Sequence, residues 1–162
     1  MRRKSIIITI FIVLYDQVIK QVINNTFYYG ELVTVINKFF YITKIYNDGA
    51  AWSTFSGNRI FLISITLIAF VFLVSLERSF EKSSRISIAF GLIYGGLIGN
   101  FIDRVMYGHV IDYLKIMIGD YEFPVFNLAD MMIVIGFVII IIGILKGEDK
   151  IGNKSREREL TD

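Results

Sequence analysis

Four apolar blocks, the first three uncharged and the last interrupted only by Asp130, decide what this chain can fold into. Ser5–Tyr15 lies between Lys4 and Asp16 and stays apolar to about Ile23. Ile60–Leu76 lies between Arg59 and Glu77, Ile86–Ile102 between Arg85 and Asp103, and the last block runs from Asn127 to Leu145. Each approaches the ~20 helical residues that cross a hydrocarbon core of ~30 Å. A compact soluble domain of 162 residues would not need a composition 54% hydrophobic and only 20% charged. A cleaved leader is disfavoured for the first block, because Asp16 and Lys20 follow it and no small-residue cleavage pattern appears. The reading is one integral membrane domain over 1–162, with spans at about 5–23, 60–76, 86–103 and 127–145.

Lys and Arg set the expected direction. The N-terminus (Arg2, Arg3, Lys4), the linker after the second block (Arg78, Lys82, Arg85) and the tail (Lys146, Lys150, Lys154, Arg156, Arg158) carry eleven, against three (Lys38, Lys44, Lys115) in the other two connections. The positive-inside rule then places both termini in the cytoplasm and connections 24–57 and 105–126 outside. The stretch TFYYGELVTVINKFFYITKIYNDGA, with its β-branched and aromatic load and turn signals at Gly30 and Asn47-Asp48-Gly49, reads as a small sheet or hairpin. Ala51–Gly57 fits a short interfacial helix, and the charged tail after Lys146 reads as unstructured. The fold class expected is an all-α membrane protein, a four-helix bundle with a small extracytoplasmic β-rich subdomain between helices 1 and 2.

On this topology the polar residues gather at one membrane level. Asp16 and Lys20 lie ~18 and ~24 Å along the first span, past its middle. Asn100, Asp103 and Arg104 end the third span, Asn127 and Asp130 open the fourth, and Asn47 and Asp112 belong to outer connections. An ionisable group inside a membrane costs ~2.5–3.5 kcal/mol on insertion scales and usually faces the bundle interior for a reason. Asp16 and Lys20, at i and i+4, are able to pair. Asp103 reads as structural, and Arg104 as either structural or a ligand for a lipid headgroup or a substrate carbonyl. Gly91, Gly95 and Gly99 recur every four residues, which suits close helix packing.

Few chemistries are available. With no cysteine, disulfides, thiol catalysis and Cys-based zinc sites are excluded. The only histidine is His109, no HExxH occurs, and no nucleophile-elbow pattern surrounds any serine. A Ser–Lys dyad drawn from Ser53, Ser56 and Lys44 has nothing to pair it. Carboxylates remain. Asp112 and Asp130, brought together by antiparallel spans, would share a proton, one acting as base on water and the other as acid. Spacing alone leaves a cation site or simple helix capping open, and Asn127 stands where an N-cap would, just after Pro124. A non-enzymatic four-span carrier or lipid-binding scaffold, and a metal-dependent membrane transferase, are the readings from other classes.

Five motifs go further: DQVIK at 16–20, NDGAAW at 47–52, GGLIGNFIDR at 95–104, VIDY at 110–113 and FNLAD at 126–130. With them the chain, over residues 5–146, resembles the lipoprotein signal peptidases (signal peptidase II), bacterial aspartic endopeptidases with four transmembrane helices. Trp52 and Tyr113 stand where Phe is more usual, and both keep an aromatic ring. The resemblance implies a catalytic dyad at Asp112 and Asp130. It implies support or substrate contact from Asn47, Gly49, Asn100, Arg104, Asn127, Asp16 and Lys20. Segment 24–57 would cradle the substrate at the membrane surface. The implied substrate is a prolipoprotein carrying diacylglycerol on its lipobox cysteine, cut just before that cysteine. No metal or other cofactor and no nucleic acid are implied; membrane lipids are partners, a monomer is expected, and the implied location is a bacterial plasma membrane with the site near its outer face.

Overall fold

The computed structural model describes residues 1–49 and 54–146. Its elements in order are α1 (Arg3–Thr26), β1 (Leu32–Ile36), β2 (Phe40–Asn47), α2 (Arg59–Ser79), α3 (Ser84–Met106), β3 (Val110–Ile118), β4 (Tyr121–Glu122) and α4 (Leu128–Leu145). All four helices are long and apolar enough to cross a membrane. The first three outrun the apolar blocks because helix hydrogen bonding continues past the first charged residue: α1 runs on to Thr26, and α2 takes in Glu77.

The helices pack by a rule opposite to that of a soluble bundle. α1 buries Ser5, Thr9, Asp16 and Lys20 along one face, while Ile10, Phe11, Leu14, Val18 and Val22 face outward. Only a hydrocarbon surround favours that arrangement, since lipid is as apolar as those side chains and polar groups must satisfy one another inside. α3 is the central element. Its glycines bring α1 close: a Cβ on Gly91 would stand 2.7 Å from Ile8, on Gly95 2.5 Å from Ile12, and on Gly99 2.5 Å from Asp16 Oδ2. The stripe works as close packing, as its spacing suggests. α3 and α4 run antiparallel, with Gly136 of α4 seated on Ala89 and Ile93. At the end holding the starts of α1 and α3 the core is Leu73, Phe80, Phe90, Ile93, Tyr94 and Ile140; at the other end it is Ile23, Ile111 and Tyr113.

The sheet corrects the expected architecture. It is not confined to the connection between the first two helices, and the chain is not all-α. Four antiparallel strands lie in the order β1-β2-β3-β4, so connection 105–126 supplies half of them. β2 and β3 pair with Asn47 opposite Val110 and Ile45 opposite Asp112. Residues 54–57 form a turn rather than a helix, and Asn58 then caps α2 by accepting from Phe61 N. The rest of the Ala51–Gly57 expectation, the Trp52 match and the tail beyond Lys146 lie outside the described residues.

Candidate active site

Two local devices place the aspartates. In an antiparallel pair, residues two apart on one strand share a face with the residue opposite either of them. Asn47 and Asp112 meet in this way, and Asn47 Nδ2 donates to Asp112 Oδ2 at 2.9 Å. At the mouth of α4, Asn127 is the N-cap. Its Oδ1 accepts from Asp130 N at 3.0 Å, while Asp130 Oδ2 accepts from Asn127 N at 3.2 Å, a reciprocal capping box.

Asn127 also links the two carboxylates. Its Nδ2 donates to Asp112 Oδ1 at 2.6 Å and to Asn100 Oδ1 at 3.2 Å, and Asn100 Nδ2 donates to Asp130 Oδ1 at 2.7 Å. Both oxygens of each aspartate therefore accept an N–H. Asp112 is 2% exposed and Asn127 fully buried. Burial, and next the Asp130 charge, push the Asp112 carboxyl up to about 7, against the lowering effect of its two amide hydrogen bonds.

Behind this pair lies an ionic hub. Lys20 Nζ is 2.8 Å from Asp16 Oδ2, 2.8 Å from Asp103 Oδ2 and 2.9 Å from Asn100 Oδ1, so all three of its donors are used. Each partner reaches on to the dyad. Asp16 Oδ1 accepts from Ala129 N at 3.1 Å, pinning the start of α4. Asp103 Oδ2 accepts from Ile111 N at 3.3 Å, fixing the strand just before Asp112. Asn100 holds Asp130 directly. The Asp16–Lys20 pairing and the structural part given to Asp103 are both present. Asp103 and Arg104 diverge, however: Asp103 turns to α1, and Arg104 faces the cavity, its guanidinium donating to Gly49 O at 3.0 Å. Gly49 N in turn donates to Asn47 Oδ1 at 3.0 Å.

A cavity of about 970 Å³ covers the dyad. Asn47, Asn100, Arg104, Asp112 and Asp130 line its polar side; Thr66, Leu97, Ile133, Val134 and Ile135 line its apolar side. Val134 and Ile135 also belong to the outward surface of α4, so the apolar wall continues into the lipid-facing side. Arg104 Nε is buried without a hydrogen-bond partner among the described residues.

All nine residues singled out in the sequence therefore meet in one network. Sequence reasoning missed Gln17, whose amide donates to Asp103 Oδ1 at 2.9 Å and Gly99 O at 3.2 Å. Its only signal was its place inside a polar interruption of an apolar span. It also missed Tyr113 as a hydrogen-bonding group: its hydroxyl accepts from Leu128 N at 3.1 Å. Of the serine–lysine alternative, Lys44 bonds Asn24 O and Ser56 bonds Asp48, so these two do not pair; Ser53 lies outside the described residues. His109 stacks on Tyr46 with ring centroids 4.2 Å apart, and burial lowers its pKa.

Comparison with known proteins gives the family. The family model described as Signal peptidase (SPase) II matches residues 8–146. The lipoprotein signal peptidase of Staphylococcus aureus (strain MRSA252) is 40% identical over 157 residues, covering 94% of this chain and 93% of that protein. The protein of the same name from strain JH9 gives the same identity and coverage. A solved structure described as "Bacterial membrane enzyme structure by the in meso method at 2.3 A resolution" superposes with a TM-score of 0.79 at 41% identity, covering 88% of this chain and 87% of that one. A second, described in the same words at 1.9 A, gives a TM-score of 0.76 and 41% identity over 88% and 92%. The chain, a multi-pass membrane protein, belongs to the signal peptidase II family and is a peptidase, of the aspartic type by that family.

Proposed function

We propose that this peptidase removes signal peptides from diacylglyceryl-modified prolipoproteins, cutting before the lipidated cysteine with a water activated between Asp112 and Asp130. The single observation that carries the reading is that two carboxylates, joined through Asn127 and Asn100, share the floor of one cavity. Four carboxylates (Asp16, Asp103, Asp112, Asp130) surround two cations (Lys20, Arg104), an excess that favours uptake of one proton. The raised Asp112 is its natural holder. Asp130, in the first turn of α4, serves as base.

In the proposed cycle Asp130 takes a proton from water while the water oxygen attacks the scissile carbonyl carbon. Asp112 gives its proton to the carbonyl oxygen. In the collapse of the gem-diol, Asp112 recovers a proton from a hydroxyl and Asp130 delivers its proton to the leaving amine. The dyad is restored without a covalent intermediate. The partnerless Arg104 Nε is suited to a substrate backbone carbonyl, and the apolar wall of α4 to the signal helix or acyl chains. In this reading both termini are cytoplasmic, connections 24–57 and 105–126 and the dyad lie toward the outer face, and the enzyme acts as a monomer.

The test is purified protein in lipid vesicles with a diacylated prolipoprotein. Asp112→Asn and Asp130→Asn are each expected to cut cleavage by about 10²–10⁴-fold while thermal unfolding stays cooperative. Full processing by either folded variant would overturn the dyad.

A further inference from the structure

We propose that the groove between the start of α3 and the end of α4 is a binding site for one anionic phospholipid. It lies at the end of the bundle away from the dyad, and its assignment to the inner leaflet rests on the bilayer placement proposed above. The groove has a volume of about 700 Å³. Arg85 and Lys146 line it together with the hydroxyls of Ser83 and Ser84. A third cation comes from α1, where the Lys4 amine hydrogen-bonds the Ser84 hydroxyl. Ile88, Ile139 and Ile142 form its other wall, and among the described residues no acidic side chain lines it.

That pairing of chemistries selects the occupant. The first backbone N–H groups of α3 do not provide the anion site, because Ser83 Oγ already accepts from Arg85 N and Ile86 N at 3.1 and 3.4 Å. Recognition falls to side-chain cations from three helices or helix ends, a charge pattern complementary to a phosphodiester. A soluble phosphate would need only those cations. The isoleucine wall has a use only if the anion continues into hydrocarbon, as a glycerophospholipid does. Lys and Arg also outnumber acids at these helix termini, with Arg2, Arg3, Arg78 and Lys82 against Glu77 and Glu81 nearby in the sequence. A zwitterionic lipid would carry its own cation into that excess. The expected ligand therefore has net negative charge, as phosphatidylglycerol does, with its headgroup on Lys146, Arg85 and Ser84 and its first acyl carbons on Ile139 and Ile142. A lipid seated there would tie the α3–α4 pair to the end of α1.

Native mass spectrometry of the full chain released from detergent micelles, titrated with phosphatidylglycerol or phosphatidylcholine, tests this. One phosphatidylglycerol is expected to be retained in clear preference to phosphatidylcholine. The double variant Lys4→Gln/Lys146→Gln is expected to weaken retention by about tenfold or more. Ile142→Trp, which fills the groove and leaves the charges, is expected to weaken it as well, so the proposal does not depend on the folding of one variant. Asp112→Asn is expected to bind the lipid like the parent, which separates this proposal from the peptidase reading. Equal retention of the two lipids, unchanged retention in both groove variants, or displacement by millimolar inorganic phosphate would each overturn it.

Discussion

The described residues hold a buried polar cluster at each end of the bundle, and the function proposed above puts chemistry at only one of them. At the end holding the chain start, Glu77 is 1% exposed. Its Oε1 accepts from Ser5 Oγ at 2.5 Å and Arg2 N at 3.4 Å, and the Tyr94 hydroxyl lies 3.3 Å from Oε2. The Arg2 guanidinium donates to Glu77 O and Phe80 O at 3.1 and 2.7 Å, closing the last carbonyls of α2. This is a single carboxylate ringed by donors. The other cluster holds two carboxylates, linked through Asn127 and Asn100, on the wall of a cavity, with a surplus of negative charge; an unpartnered arginine nitrogen does not separate the ends, since Arg2 Nη1 and Arg104 Nε are both buried without a hydrogen-bond partner among the described residues. A buried charge in a membrane helix is therefore not by itself a mark of function. What marks function is like charges held together beside open space, against the tendency of such groups to neutralise or separate.

The largest difference is expected from removing the acids themselves. Asp112→Asn and Asp130→Asn each lower cleavage by about 10²–10⁴-fold, whereas Glu77→Gln leaves kcat/KM within about twofold. A comparable loss in Glu77→Gln would erase the distinction between the two ends.

Next in size is Lys20→Met. It leaves Asp16 and Asp103 buried without their shared cation, a loss of about 3–5 kcal/mol in unfolding free energy measured in mild detergent. Because Lys20 touches Asn100, kcat falls with it, and Lys20→Arg restores little, since a planar fork does not reproduce three tetrahedral donors. Stability within about 1 kcal/mol of the parent would show that the hub is not a unit.

A smaller effect follows pH. With Asp112 raised from 3.8 to about 7, the folded chain holds a proton across that window that the unfolded chain has released. Stability from this group is therefore present at low pH and lost as pH rises toward 7. Cleavage that needs the Asp112 proton has an alkaline limb near pH 7, falling about tenfold per unit above it in kcat/KM. Asp112→Asn flattens the stability profile over the same window; a profile parallel to that of the parent would place the proton elsewhere. The smallest effect is the stability cost of Glu77→Gln, about 1–2 kcal/mol, from exchanging charge-assisted hydrogen bonds for neutral ones.

How much of this was legible differs along the chain. The four helices were readable because hydropathy is a local property, and the Asp16–Lys20 pair because i,i+4 spacing is. The second half of the sheet was not. Val110–Ile118 pairs with a strand more than sixty residues earlier, and nothing local in VIDYLKIMI names that partner. The placing of Asn47 against Asp112 depends on that pairing, so spacing alone gave two outer aspartates and left caps and cation sites open. The capping expected of Asn127 is present, and the same side chain also donates to Asp112. At the other end Glu77 marked the edge of an apolar block. Its burial depends on α2 running on to Ser79 and on Ser5 and Tyr94 from two other helices, none of which a span count reveals.

The claim that separates the two ends is that one of them keeps a shared proton, on Asp112. Infrared difference spectroscopy during a pH titration reads it directly through the C=O stretch of a protonated carboxyl. In the parent protein a carboxyl band is expected to vanish as pH rises through about 7. It should be missing at all pH values in Asp112→Asn and unchanged in Glu77→Gln. Persistence of that band in Asp112→Asn, or its loss in Glu77→Gln, would contradict the assignment.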